Sequence, residues 1–384
     1  MLVSASVSAK ARLFLPRLPL LLTFSLSSLL SAQTPAALPA SAHTPTGIQL
    51  SDANLTLRVD ALRPDVLRVR LYPNGHPSED ASWAVLPTSR TAHSDVTSEP
   101  SGFSTADLRV AVTPNLRLTV SDLDGHVLQS DALPVDWTAH GFTVTKSKTT
   151  NDHFFGLGDK PGPLDRVGET FTMWNSDSFG WQESTDPIYK SIPFFLEMHS
   201  GRTIGVLFDN TFRTFFDFGR RDPSQYTFSA PAGPLDYYVL YGPDPKQVVE
   251  DYAWLTGPTP LPPAWALGYQ QSRYSYYPQS QVEDIAAHLR KDKIPADAIW
   301  LDIDYQDKYR PFTVNTTTFP DFPGMIHKLA DEHLHTIVIA DLHIADAPNQ
   351  GYHPYDSGIA GDEFVKENGK NYVCLLYTSP SPRD

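Results

Sequence analysis

Residues 300–305 read Trp-Leu-Asp-Ile-Asp-Tyr, and residues 272–276, farther upstream, read Ser-Arg-Tyr-Ser-Tyr. In both stretches a short apolar run ends in polar and aromatic side chains, and an amphipathic helical pattern lies between them. Parallel strands that alternate with helices bring their ends to one rim of a β/α barrel, where ligand sites form. The two stretches therefore predict a pocket at such a rim.

The surrounding sequence predicts the order strand, helix, strand, helix, strand. The predicted strands are residues 266–273, 298–304 and 336–341, the last apolar through its middle as in a buried parallel strand. Ser280 and Glu283 predict a capping box for the first helix. Its apolar face is formed by Val282, Ile285, Ala286 and Leu289. Asp321 is predicted to cap the second helix, with Pro323 in its first turn.

The N-terminal half has a different pattern. Apolar and polar residues alternate in short runs separated by Gly, Pro and Asp turns, which predicts an antiparallel β-sandwich over residues 47–256. Later strands are predicted at residues 202–208 and 236–240, and a helix at residues 245–255. Residues 257–263 are rich in proline and predict a stiff connector to the second domain.

Composition limits the possible functions. The chain has 384 residues, 41% hydrophobic and 19% charged, which is typical of a globular protein with two domains. The formal net charge of −14 argues against nucleic acid as a partner. Cys374 is the only cysteine, so neither an intramolecular disulfide nor a cysteine-based metal cluster can form. No metal or cofactor is expected.

The N-terminus resembles an export signal. Lys10, Arg12 and Arg17 precede an apolar run at residues 20–30 and then small residues, so residues 1–32 are predicted to be a cleaved signal peptide. An uncleaved membrane anchor is the alternative, although the run is shorter than the roughly 20 residues that a spanning helix needs. We expect a flexible leader over residues 33–46, and a periplasmic or extracellular protein without a stable membrane span after cleavage.

Several motifs together resemble glycoside hydrolase family 31. They are Pro-Ala-Trp-Ala-Leu-Gly-Tyr-Gln-Gln-Ser-Arg-Tyr at 263–274, Trp-Leu-Asp-Ile-Asp-Tyr-Gln-Asp at 300–307, Phe-Gly-Leu-Gly-Asp at 155–159 and Trp-Asn-Ser-Asp at 174–177. The resemblance covers roughly residues 50–373 and implies a galactose mutarotase-like β-sandwich followed by a (β/α)8 TIM barrel. It also implies a retaining reaction at a terminal α-linked sugar, with two carboxylates about 5–5.5 Å apart.

The resemblance assigns a substrate-binding role to six residues. Asp302 matches the family's sugar-binding aspartate, and Ile303 matches the apolar wall residue beside it. Tyr274 matches an aromatic residue at the end of the first strand, whose ring can cover a sugar face. Ile339 and Asp341 match an apolar pocket residue and an aspartate at the third strand. Asp177 matches an aspartate in the sandwich loop that reaches the active site.

Each assignment has a structural alternative. Asp302 and Asp304 could cap a loop, Tyr274 could pack at the barrel rim, and the loop of Asp177 could be a packing plug. As residues i and i+2 of one strand, Asp302 and Asp304 would project in parallel, which excludes them as the catalytic pair. Departures from the family pattern occur at Gln306, Leu342 and Phe179.

The family's nucleophile motif, Trp-x-Asp-Met-Asn-Glu, is found nowhere in these 384 residues. Residues 264–373 are expected to supply only the first three βα units of a truncated barrel, so the chain itself is predicted to be inactive. Residues 374–384 depart from the family and are predicted to be a non-native tail, the alternative being a divergent terminus.

The predicted function is that of the N-terminal part of an exo-acting α-glucosidase, with an α-linked oligosaccharide or glucan as substrate. The alternatives are an α-xylosidase or α-glucan lyase of the same family, or a non-catalytic carbohydrate-binding protein.

Overall fold

The computed structural model describes residues 42–341 and 343–373. The chain divides into two compact units, Met1–Pro258 (unit 1) and Thr259–Asp384 (unit 2), and the division falls within the proline-rich stretch 257–263. The predicted signal peptide, residues 33–41 of the predicted leader, Leu342 and the predicted tail lie outside the described residues.

Unit 1 is formed mainly by β-strands. They are β1 (His43–Thr44), β2 (Gly47–Ser51), β3 (Leu55–Arg63), β4 (Val66–Pro73), β5 (Thr97–Glu99), β6 (Gly102–Ser104), β7 (Leu108–Val112), β8 (Leu118–Asp122), β9 (Val127–Ser130), β10 (Asp136–Thr138), β11 (Gly141–Ser147), β12 (His153–Gly156), β13 (Thr170–Met173), β14 (Phe194–His199), β15 (Arg202–Phe208), β16 (Thr214–Asp217), β17 (Gln225–Ala230) and β18 (Leu235–Gly242). Two helices accompany them, α1 (Pro87–Arg90) and α2 (Pro245–Thr256).

These strands form three antiparallel sheets around one core. The largest has the order β1-β2-β3-β4-β18-β15-β14-β12, and two five-stranded sheets have the orders β10-β11-β17-β16-β13 and β5-β6-β7-β8-β9. Aromatic side chains from facing sheets meet in the core, where Phe195 of β14 packs edge-on against Phe216 of β16 with ring centroids 6.0 Å apart. The predicted β-sandwich is therefore confirmed.

A buried polar network crosses the sandwich core. The hydroxyl of Tyr226 donates to Oε2 of Glu197 at 2.7 Å, and Nε2 of Gln129 donates to Oη of Tyr226 at 2.7 Å. The three residues belong to β17, β14 and β9, one from each sheet. Burial raises the pKa of Glu197 from 4.5 to about 8, so the carboxyl stays protonated in the folded protein at neutral pH.

The raised pKa of Glu197 predicts a pH-dependent stability. The protonated Glu197 carboxyl contributes its full stabilisation of the folded state below about pH 4.5. This stabilisation is lost as the pH rises to about 8, because Glu197 ionises at a lower pH in the unfolded chain than in the folded protein. The loss should reach up to about 1.4 kcal/mol per pH unit for this one group. Glu197→Gln keeps an acceptor for Tyr226 and should reduce the slope, as measured by urea unfolding of the 384-residue chain from about pH 5 to pH 8.

The matched control is Glu250→Gln, because Glu250 is an exposed glutamate of the same unit. With this substitution, the free energy of unfolding should change with pH as steeply as it does in the original chain. Equal slopes for Glu197→Gln and the original chain would contradict the assignment of a buried, protonated Glu197.

Unit 2 contains a small parallel sheet and three helices. In chain order its elements are a 3-10 turn (Ala264–Leu267), β19 (Gln270–Gln271), α3 (Gln279–Lys291), β20 (Ala298–Leu301), 3-10 turns at Ile303–Tyr305 and Asp307–Tyr309, α4 (Phe322–Asp331), β21 (His335–Val338), α5 (His353–Gly361), β22 (Lys366–Glu367) and β23 (Lys370–Asn371). The strands β19, β20 and β21 are parallel neighbours in that order. The predicted alternation of strands and helices is confirmed, although all three strands are shorter than predicted.

Helices α3 and α4 cover one face of this sheet. Ile299 and Leu301 of β20 are fully buried in one cluster with Val282 of α3 and Leu329 of α4. The apolar spacing that predicted the first helix is thus the spacing that buries it. The second helix begins as predicted, with the carboxylate of Asp321 accepting from the N–H of Gly324 at 3.0 Å.

The predicted capping box of the first helix is wrong. Pro278 occupies the N-cap position, so α3 begins at Gln279 and Ser280 lies inside it. Glu283 has other partners, since its carboxylate accepts from Nζ of Lys328 at 2.6 Å and from Nε2 of Gln279 at 2.9 Å. The carboxylate therefore joins α3 to α4 instead of capping α3.

The predicted strand over residues 298–304 ends at Leu301. Asp302 caps a 3-10 turn that follows at once, and its side chain satisfies the N–H of Ile303. Because a 3-10 turn has about three residues per turn, Asp302 and Asp304 do not project in parallel. The parallel projection predicted for Asp302 and Asp304 is therefore wrong. The predicted first strand is likewise reduced to Gln270–Gln271 by the 3-10 turn before it.

The third strand is less buried than predicted. The four residues of β21 are half-buried or exposed, and Val338 is 38% exposed. Within residues 42–341 and 343–373, β20 is the only strand that pairs with β21, so the other edge of β21 has no strand partner there. An edge strand with partial cover keeps part of its apolar surface in solvent.

Candidate functional site

The site predicted from the sequence lies at the carboxyl edge of the three-stranded sheet. Because the strands are parallel, β19, β20 and β21 end at the same edge. The chain segments that leave this edge contain Tyr274, Asp302 and Ile339. The structure therefore brings three of the predicted segments to one rim of unit 2.

Asp302 is the first residue after β20. It is half-buried, and its Oδ1 accepts from the N–H of Ile303 at 2.8 Å. This bond fixes the direction of the carboxylate and starts the 3-10 turn Ile303–Tyr305. Ile303 is also half-buried. A carboxylate beside an apolar side chain can accept sugar hydroxyls while the side chain contacts the ring.

Trp300 of β20 lies two residues before Asp302. Its neighbours Ile299 and Leu301 pack against the helices, so the alternation of β20 directs the indole to the opposite face of the sheet. There its Nε1–H donates to Oε1 of Gln270 at 2.7 Å and joins β19 to β20. The sequence analysis missed this pair. The sequence feature that indicates this hydrogen bond is a polar residue, Gln270, in one strand next to a strand that contains Trp300, whose indole N–H needs an acceptor.

The turn after Asp302 is tied to the end of β21. The N–H of Ile339 donates to the carbonyl of Leu301 at 3.0 Å. The carbonyl of Ile339 accepts from Oη of Tyr305 at 2.9 Å and from Nε2 of Gln306 at 3.3 Å. Two side chains from the β20 turn thus hold the Ile339 backbone in place. Gln306, a departure from the family pattern, is buried and has this positioning contact.

The remaining predicted residues are more exposed. Tyr274 is 52% exposed, whereas Tyr276 is buried and its hydroxyl accepts from Nε2 of Gln271. Asp341 is half-buried, with Oδ2 at 4.0 Å from Nε2 of His343. Asp177 belongs to unit 1, where it is exposed on the loop between β13 and β14. The roles of all six residues stay predictions.

One cluster in unit 1 has the composition of a metal site. Asp122, Asp124 and His126, at the turn between β8 and β9, have ligand atoms within 4.8 Å of one another. However, Nε of Arg202 donates to Oδ2 of Asp122 at 2.9 Å, so a guanidinium already neutralises the most buried member. The cluster is an ion-pair network of the β8–β9 hairpin.

Comparison with known families explains both units. The glycosyl hydrolase 31 N-terminal galactose mutarotase-like domain matches residues 56–217, and the glycosyl hydrolases family 31 TIM-barrel domain matches residues 259–381. The chain belongs to glycoside hydrolase family 31. The mutarotase-like sandwich and the TIM-barrel domain expected from the sequence are thus confirmed, although the described strands of unit 2 do not close into a barrel.

Several relatives in this family are named as alpha-glucosidases. Alpha-glucosidase 2 of Bacillus thermoamyloliquefaciens is 37% identical over 330 residues, which cover 84% of this chain and 40% of that protein. An alpha-glucosidase of Saccharolobus solfataricus is 35% identical over 61% of this chain and 33% of its own length. The GH31 dextranase of Flavobacterium johnsoniae, solved with isomaltotriose, superposes with a TM-score of 0.77 at 32% identity, covering 85% of this chain and 41% of that structure. The chain therefore spans less than half the length of these relatives.

Proposed function

We propose that this chain is the N-terminal part of a retaining, exo-acting α-glucosidase that removes terminal α-linked glucose from oligosaccharides or glucans. The observation that carries the proposal is the 37% identity with an alpha-glucosidase over 84% of the chain. The arrangement of Asp302 and Ile303 at the end of β20 supports it, because this pair offers a charged acceptor next to an apolar contact.

In this proposal the strand ends bind the non-reducing glucose. Asp302 accepts hydrogen bonds from its hydroxyls, and Ile303 and Ile339 contact its apolar face. The hydrogen bonds to the Ile339 carbonyl keep the two segments together when the sugar enters. Tyr274, Asp341 and Asp177 complete the set of proposed sugar contacts.

We place the nucleophile and the acid/base outside these 384 residues. The retaining reaction needs two carboxylates on opposite sides of the scissile bond, and the family's nucleophile motif is absent from the sequence. The described part of unit 2 accordingly supplies the first three βα units of the barrel. Its three-stranded sheet with an unpaired edge on β21 supports this assignment.

Expression of the gene through its own stop codon tests the proposal, with the 384-residue chain as the comparison. The longer protein should release glucose as the α-anomer from 4-nitrophenyl α-glucoside and isomaltose, and the 384-residue chain should release none. Faster release from the α-xyloside would favour the α-xylosidase alternative, and an elimination product would favour the lyase. Turnover by the 384-residue chain would contradict the placement of the catalytic pair.

We also propose that the protein is exported and that residues 1–32 are removed. The charged, apolar and small-residue regions of the N-terminus support this proposal. No helix in residues 42–341 and 343–373 has the length and apolar character needed to cross a bilayer. N-terminal sequencing of the protein from the same expression should begin at Gln33, and an intact Met1 would contradict cleavage.

A further inference from the structure

Unit 1 has a cavity that the proposed function does not use. Its volume is about 410 Å³, within the range of about 300–1,000 Å³ typical of small-molecule sites. It is formed by the segment before α1, the loop after β13 and the loop after β15. The lining residues that matter here are Trp83, Trp174, Ser191, Asp209, Asn210 and Phe212.

Large aromatic rings at this cavity face solvent. Trp83 is 95% exposed, Trp174 is 44% exposed and Phe212 is 49% exposed. The guanidinium of Arg213 lies 4.9 Å from the Trp174 ring centroid and holds that indole in place. Because three exposed aromatic rings around one cavity contribute little to folding, their exposure indicates a surface that stacks on a ligand.

Two polar side chains of the cavity lining, Ser191 and Asp209, could bind a ligand hydroxyl. The hydroxyl oxygen of Ser191 is buried and has no hydrogen-bond partner within residues 42–341 and 343–373. Asp209 is half-buried and also lines the cavity; burial raises the pKa of its carboxyl, which has a hydrogen bond with Ser82. A ligand hydroxyl could satisfy both groups, because it can donate to the carboxylate and exchange a hydrogen bond with the serine.

The floor of the cavity is rigid. Nδ2 of Asn210 donates to the carbonyls of Ala232 at 3.0 Å and Pro234 at 2.9 Å, and its Oδ1 accepts from the N–H of Phe212 at 2.7 Å. One buried amide thus fixes the whole loop that presents Asp209 and Phe212. A preformed loop loses little conformational entropy when a ligand binds.

We propose that this cavity binds a glucose unit of an α-linked glucan, so that unit 1 holds the polymer through Trp83, Ser191 and Asp209. This inference rests on the proposed function for the identity of the sugar. A pyranose has an apolar face for the aromatic rings and hydroxyls for Ser191 and Asp209. The carboxylate of Asp209 disfavours anionic ligands such as phosphates.

Calorimetric titration of the 384-residue chain with maltotriose and isomaltotriose tests the inference. Trp83→Ala should weaken binding at least about fivefold, because it removes one stacking ring, and Ser191→Ala should weaken it about threefold. Trp83 is almost fully exposed, so its removal should leave the far-ultraviolet circular dichroism and the thermal midpoint unchanged. Trp181→Ala is the matched control, because this indole is 54% exposed in the same unit and does not line the cavity.

Equal affinities of Trp83→Ala, Trp181→Ala and the original chain would overturn the inference. So would the absence of binding to the folded chain, or binding that only Asp302→Asn removes. The last result would locate the sugar at the strand ends of unit 2 and leave the proposed function intact. The opposite combination is also possible. If glucan binding depended on Trp83 but the longer protein did not hydrolyse α-glucosides, the proposed function would be contradicted and the binding site in unit 1 would be supported.

Discussion

Asp302→Asn in the protein expressed from the whole gene should lower kcat/KM for 4-nitrophenyl α-glucoside by about 30-fold. An amide accepts neutral hydrogen bonds that are about half as strong as those of a carboxylate. Two sugar contacts of about 2 kcal/mol each, both reduced to about half, lose about 2 kcal/mol in total, which corresponds to this fold-change. Asn can still accept from the N–H of Ile303, so the turn after β20 should keep its shape. Steady-state kinetics measures the loss.

Asp304→Asn is the matched control for this prediction. Asp304 lies two residues away in the same 3-10 turn, and it is half-buried like Asp302. Its substitution should change kcat/KM by less than about tenfold, since we assign it no sugar contact. If the Asp302→Asn protein retained most of its activity, the proposed sugar contact of Asp302 would be contradicted, and with it the assignment of a carbohydrate site at the end of β20.

Asp131→Asn should lower the free energy of unfolding of unit 1 by about 3–5 kcal/mol. Nζ of Lys146 lies 2.7 Å from Oδ1 of Asp131, and the Lys146 side chain is fully buried. Nζ also donates to the hydroxyl of Tyr237 at 3.1 Å. Without the carboxylate, a buried ammonium loses its counter-charge in a medium that solvates it poorly. Urea unfolding of the 384-residue chain measures the change.

Two further variants separate charge from packing in this prediction. Asp131→Asn combined with Lys146→Met removes both charges and should recover at least half of the lost stability. Glu99→Gln breaks the exposed pair with Arg109, whose atoms are 3.0 Å apart, and should cost no more than about 1 kcal/mol. A double variant as unstable as Asp131→Asn alone would contradict the role of the unpaired cation.

The sequence predicted the order of elements better than their ends. The strand predicted at residues 202–208 is β15, and the helix predicted at residues 245–255 is α2, one residue longer. Both have their own local signals, an apolar run for β15 and Asp244 as N-cap for α2. The ends of β20 and β21 had no such signal, because an apolar residue follows soon after each: Ile303 in the turn that Asp302 caps, and Ile339 directly after Val338.

The candidate site was predictable as a location but not as a set of contacts. Polar residues after a buried strand indicated where Asp302 lies, because strand ends share a rim. The bonds from Trp300 to Gln270 and from Tyr305 to Ile339 join residues that are 30 and 34 positions apart. Such pairs depend on the register between strands, which a single sequence does not specify without the packing of the helices.

The open edge of β21 has a consequence for biosynthesis. Ribosomes deliver the sandwich first, at about 5–20 residues per second, so its core can close before β21 emerges. From that moment the backbone groups of His335–Val338 on the edge away from β20, which no strand covers within residues 42–341 and 343–373, can pair with extended segments of a neighbouring nascent chain. Holdase chaperones that occupy this edge on the translating polysome should therefore govern how much of the polypeptide stays in solution.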